Sequence, residues 1–109
     1  MDNQKDDNYY INKIIDDAKI IVKSMNGISL DEFTTNELLN SAMSFKLVQI
    51  SENSKLLSSE YKKINNAIPW NLIKGLRNRI VHDYGGVKFY TLYGTLVEDI
   101  PYLLVQLCK

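Results

Sequence analysis

The chain has 109 residues, enough for one domain that buries its own core without disulfides or a structural metal. Thirteen basic side chains balance 13 acidic ones, so the formal net charge is zero. That balance argues against a protein that finds nucleic acid by bulk charge, while leaving room for a local basic site. The lone cysteine, Cys108, excludes an internal disulfide and a cysteine-based zinc site, and one unbridged thiol fits a reducing compartment.

The opening "MDNQKDDNYY" is acidic and polar, unlike a signal peptide. No apolar run approaches the roughly 18 residues needed to span a membrane. The expectation is a cytoplasmic protein with no membrane segment.

Residues 9–25 carry apolar side chains at 10, 11, 14, 15, 18, 21, 22 and 25, one face of a helix with period near 3.6. Asn26-Gly27 ends that helix, with the glycine at a left-handed cap. Ser29 and Glu32 form a capping-box pattern for a short helix. Thr35 or Asn36 then caps a long helix through about residue 57, predicted to weaken in its later half, where "SENS" is polar. Ser58 or Ser59 starts a short amphipathic turn through Tyr61 and Ile64. Pro69 suits the first turn of the next helix, "PWNLIKGLRNRIVHDY", which Gly85-Gly86 stops. The closing segment, 87–107, is helical in period, with a break or kink predicted at Pro101. Strand alternation, repeats and low-complexity tracts are lacking. The reading is a single all-α domain over 1–109, an up-and-down helical bundle of four main helices plus short helical turns.

The helix over 70–84 contains the only histidine. At about 100° per residue, Ile73, Leu76 and Ile80 fall on a core side, with Leu72 at its edge. Gly75, Asn78 and His82 fall roughly opposite, and Asn78 and His82, four apart, are neighbours. Arg77 flanks this face, with a side chain long enough to reach toward His82. A glycine inside a helix costs about 1 kcal/mol against alanine, which points to close approach by something else, such as a second helix.

This set suits phosphodiester cleavage without a metal. A histidine imidazole, with an ordinary pKa of about 6.5, can take the proton of a ribose 2′-hydroxyl. An arginine can hold the phosphate bidentately and stabilise the charge that grows in the transition state. One histidine supplies a base but no acid, and a symmetric dimer would supply both. The same residues also fit a plain reading, in which Lys74, Arg77 and Arg79 complement the negative end of their helix and Tyr84 is a half-buried boundary residue.

The block "IPWNLIKGLRNRIVHDYGGV" resembles the signature region of the HepT-like proteins, a branch of the HEPN superfamily, whose pattern is RxxxxHxY after an "IPW…I.G.RN" segment. Ile68, Pro69, Trp70, Ile73, Gly75, Arg77, Asn78, His82 and Tyr84 supply it in register. "LVQISENSKLLSSEY" and "LYGTLVEDIPYLLVQL" extend the likeness over roughly residues 10–107. Two positions depart from the pattern: Gly85 stands where an aromatic is frequent, and Tyr93 where tryptophan is common.

The resemblance implies a HEPN-like bundle that dimerises, so that two Arg–His motifs meet in a cleft and cut RNA without metal or cofactor. It implies a toxin of a toxin–antitoxin module, whose partner is a minimal nucleotidyltransferase that silences it by AMP transfer. Arg77 and His82 would be the catalytic pair, Asn78 a supporting polar residue and Tyr84 the modified residue. A competing reading keeps the fold as a non-catalytic dimer, scaffold or antidote that binds the nucleotidyltransferase.

Overall fold

A computed structural model describes residues 6–109. It comprises α1 (Asp7–Met25), α2 (Leu30–Thr35), α3 (Glu37–Lys55), α4 (Ser59–Ile64), α5 (Trp70–His82), a 3₁₀ turn (Tyr84–Gly86), and a closing helix in three parts. Those parts are α6 (Phe89–Gly94), a π-helical turn (Thr95–Asp99) and α7 (Ile100–Leu107). No strand occurs among the described residues.

Local chemistry sets most of the boundaries. Asp6 caps α1 by accepting from the Tyr9 N–H at 3.1 Å. Gly27 follows the end of α1 at φ +76°, the left-handed conformation in which a side chain would be strained. Ser29 and Glu32 exchange hydrogen bonds at 3.1 and 2.9 Å, completing the capping box. Asn36, one of the two predicted caps, accepts from the Leu39 N–H at 3.0 Å, and Ser58 caps α4 through Tyr61.

The main helices run up and down. Lys46 pairs with Asp17 at 3.2 Å, and Asp7 accepts from the Ser58 N–H at 2.8 Å, so α3 runs antiparallel to α1. Those Ser58 hydrogen bonds hold the Asp7 carboxyl below the ordinary carboxylate range. Arg77 meets Glu52 and Tyr84 meets Asn40, so α5 runs back along α3. The closing helix lies antiparallel to α1, with Tyr93 donating to the Ile28 carbonyl. One apolar core joins Ile14, Ala18 and Ile21 of α1, Leu47 and Ile50 of α3, Ile73 and Leu76 of α5, and Leu96, Ile100 and Leu103 of the closing helix. Phe33 of α2 plugs one end against Phe89 and Tyr93.

Three expectations are corrected. The later half of α3 is not its weak part: Ser51 and Ser54 are buried, small enough to let neighbouring helices close on them, and Ser54 returns its hydroxyl to the Ile50 carbonyl at 2.7 Å. Leu38, Phe45 and Leu56 of the same helix are exposed. Pro101 does not break the closing helix. It occupies the first turn of α7, and the π turn before it lets the Ile100 N–H bond to the Thr95 carbonyl, five residues back, so the register steps while the helix continues. Finally, α5 stops at His82 rather than Tyr84. Asp83, with φ −160°, leaves the helix, and Tyr84 starts the 3₁₀ turn.

Candidate active site

α5 presents the predicted site because its apolar stripe is narrow. Ile73 and Leu76 are buried and Ile80 is half-buried, which turns Gly75, Asn78 and His82 out to solvent. A Cβ added to Gly75 would meet nothing within 4 Å. The glycine gap is therefore unfilled within one chain, and whatever approaches it comes from outside. His82, the last residue of α5, is exposed.

Arg77 does not reach toward His82. It turns instead to α3, where its Nε donates to Glu52 Oε2 at 2.7 Å and its Nη2 pairs with the same oxygen. Nη1 donates to Asn78 Oδ1 at 3.0 Å. The Arg77 side chain is 23% exposed and its guanidinium carries more N–H groups than these bonds use, so a phosphate can still be met without abandoning Glu52. Arg77 in turn holds the Glu52 carboxyl below the ordinary carboxylate range, chiefly by its hydrogen bond. Glu52 also lies 3.6 Å from Lys55 Nζ.

Glu52 is the site residue that sequence reasoning missed. It lies 25 positions before Arg77 inside the polar "SENS" run. Helical periodicity cannot pair residues that far apart. An acidic residue isolated among serines and asparagines, on a helix expected to pack near α5, was the available signal.

Tyr84 is more engaged than its position suggested. Its hydroxyl donates to Asn40 Oδ1 at 2.8 Å and accepts from Ser44 Oγ at 3.3 Å, and its half-buried ring packs on Phe89. Asn40 is itself buried and oriented, because its Nδ2 donates to the Phe33 and Thr34 carbonyls at 3.1 and 3.4 Å. The phenol is thus not a free group at the mouth of a site. Two hollows flank it. One, of 530 Å³, is lined partly by Thr34, Thr35 and Asn40. The other, of 300 Å³, lies between α3 and α5 and is walled by Phe45, Val48, Ile80 and Val81.

Of the four predicted residues, the structure joins Arg77 to Asn78 directly. His82 stands one helical turn beyond Asn78, and Tyr84 faces α3. Gly75, Asn78 and His82 share the open side of α5, while the fixed cation of Arg77 lies on its flank, turned to α3. An arginine can hold a phosphate and an exposed imidazole can move a proton, and here the two groups point from different faces of α5. Among the described residues no group of three or more His, Cys, Asp or Glu side chains could hold a metal ion. No helix among them is long and apolar enough to cross a membrane.

The chain is similar in sequence to proteins named as ribonucleases. The protein named "Putative RNase TTE0752" of Caldanaerobacter subterraneus subsp. tengcongensis is 29% identical over 97 residues, covering 89% of this chain and 87% of its own length. "Putative RNase MJ1380" of Methanocaldococcus jannaschii is 26% identical, over 90% of each chain. "Probable ribonuclease HepT" of Thermococcus cleftensis is 29% identical, over 86% of each. No solved structure matches significantly. The family model described as "Ribonuclease HepT-like" matches residues 11–109, taking in every helix from α2 onward and all four residues of the predicted site. With that match, over most of the chain, the chain belongs to the ribonuclease HepT-like family.

Proposed function

We propose that this chain is a metal-independent endoribonuclease toxin that cuts RNA in a cleft shared by two copies, and that a minimal nucleotidyltransferase silences it by placing AMP on Tyr84. One observation carries the reading: the Arg77 guanidinium is held in place from α3 by Glu52 and from its own helix by Asn78, beside an exposed face that ends in His82. A merely solvating arginine has no need of that anchorage.

In this reading Arg77 binds the scissile phosphate and His82 removes the 2′-hydroxyl proton. The 2′-oxygen bonds to phosphorus, the bond to the 5′-oxygen breaks, and the partner copy's imidazolium returns a proton to that leaving oxygen. The RNA brings its own nucleophile, so neither a protein nucleophile nor a metal-bound water is required. The open Gly75 and the exposed Phe45 and Val81 support a dimer face over α3 and α5. The same apolar face supports the alternative, a scaffold for the transferase.

For control, the Tyr84 oxygen attacks the α-phosphorus of ATP, the phenol proton passes to a base of the transferase or to water, and pyrophosphate leaves. The ester has no O–H to give Asn40, so modification severs that bond and sets a bulky anion near α5.

The test is cleavage of RNA by the purified chain in chelator. We expect a 2′,3′-cyclic phosphate product and a loss of about 10²–10⁴-fold in His82→Ala with the helical spectrum unchanged. Arg77→Lys should rescue poorly, since it cannot make a bidentate contact. Undiminished cutting of RNA carrying a 2′-deoxy at the scission point would overturn the mechanism. No cutting at all, with dimer and transferase complex intact, would favour the scaffold.

A further inference from the structure

The zero net charge conceals a segregation. Residues 51–80 hold six of the 13 basic side chains and two of the 13 acidic ones. Of those two, Glu52 is already engaged by Arg77 and Lys55, and Glu60 is exposed in the first turn of α4. Three of the cations converge on a shallow cleft where the end of α3, α4 and the start of α5 meet. It is lined by Ser51, Ser54, Lys55, Lys62, Trp70 and Lys74, with no carboxylate among them.

We propose that this cleft is a subsite for single-stranded RNA, holding the strand that leads away from the scission point. The inference rests on the RNA-cutting reading and extends it along the surface. Continuity is physical: Lys74 lies one turn before Arg77 and Asn78 on α5, and Glu52 touches both Lys55 and Arg77. A strand with one phosphate at Arg77 therefore meets the ammonium groups of Lys74 and Lys55 next. The cleft has room for about 40 Å³, too little to bury a base, so the strand crosses it rather than entering it. Trp70 supplies a half-buried indole in its lining, where a base can lie against it from outside, pinned because its Nε1–H donates to the Asn65 carbonyl at 3.2 Å. An immobile aromatic face beside clustered lysines is the combination that binds single strands: phosphates on the cations, a base stacked on the ring, with little dependence on sequence.

Trp70 is the only tryptophan in the chain, so its emission reports on this cleft alone. The experiment titrates a fluorescein-labelled oligouridylate into the full chain carrying His82→Ala, following label anisotropy and tryptophan emission together at several salt concentrations. We expect quenching that tracks binding. A single strand releases about 0.7 counterion per phosphate neutralised. Lys62→Ala/Lys74→Ala should therefore flatten the salt dependence by about 1.4 in logarithmic slope, some seven-fold in affinity between 50 and 200 mM salt. Lys19→Ala/Lys23→Ala, on exposed positions of α1, removes the same charge elsewhere and should leave the slope unchanged. RNA binding with constant emission and an unaltered slope in the α4–α5 variant overturns the subsite. So does an absence of RNA binding, and parallel cleavage by the unaltered chain then shows whether the nuclease reading falls with it. Emission that responds to the nucleotidyltransferase but not to RNA would assign the cleft to a protein partner and overturn the proposal equally.

Discussion

Asn40→Ala is the sharpest test of how Tyr84 is held. Asn40 is 3% exposed and ties α2 to the turn after α5: it donates to the Phe33 and Thr34 carbonyls of α2 and accepts from the Tyr84 hydroxyl. Truncation leaves the carbonyl of Phe33 without this donor and the phenol with only Ser44. An unsatisfied buried polar group costs about 1–3 kcal/mol. The phenol is half-buried beside a 530 Å³ hollow, so water can replace part of its loss, and the expected total is about 2–3 kcal/mol. In a chain of this size that lowers the melting temperature by about 10–20 °C. Tyr84→Phe removes the shared bond and the longer one from Ser44 and should cost about 1–2 kcal/mol. Urea unfolding at several protein concentrations separates folding from association, and the double variant closes a cycle with a coupling of about 0.5–1 kcal/mol. A cost below about 0.5 kcal/mol for Asn40→Ala, or zero coupling with Tyr84→Phe, would refute the reasoning. Asn40→Ala should also raise the rate at which the transferase labels Tyr84, since the phenol no longer has to leave a bound state.

Two further outcomes follow from the site. Glu52→Gln should lower cutting at saturating RNA about ten-fold while Arg77→Ala lowers it further, because glutamine still accepts from Arg77 but no longer fixes it by charge. Arg77 depresses the Glu52 carboxyl, so the pair's contribution to stability is present above the ordinary carboxylate pKa and is lost as the pH falls through the lowered value; the stability gap between the parent and Glu52→Gln should close in acid and stay constant at neutral pH. Gly75→Ala should act with opposite signs, stabilising the monomer by about 1 kcal/mol through helix propensity while weakening dimerisation measured by sedimentation. Unchanged dimerisation would remove Gly75 from the interface.

What the sequence determined by itself was local. Apolar spacing placed the helices, and the signals that act over three or four residues placed their ends: Ser29 with Glu32, Asn36 and Gly27 all hold the positions their chemistry predicts. The exposed face of α5 was also legible, since Gly75, Asn78 and His82 share it whatever α5 packs against. The partners across the bundle were decided only by tertiary structure. Arg77 is set by Glu52, 25 residues away, and Tyr84 by Asn40, 44 residues away; both pairs exist because α5 lies antiparallel on α3. The polar "SENS" run reads as the weak part of α3, yet Ser51 and Ser54 are buried there, and with Asn40 and Ser44 they share the buried face of Met43, Leu47 and Ile50. Small side chains let the helices approach, and hydrogen bonds made within that approach offset the cost of burial. Neither condition can be read from a residue's own neighbours in the chain. The lysine cleft at Trp70 has the same origin: its residues span three helices, and their common sign becomes a field only once packing gathers them.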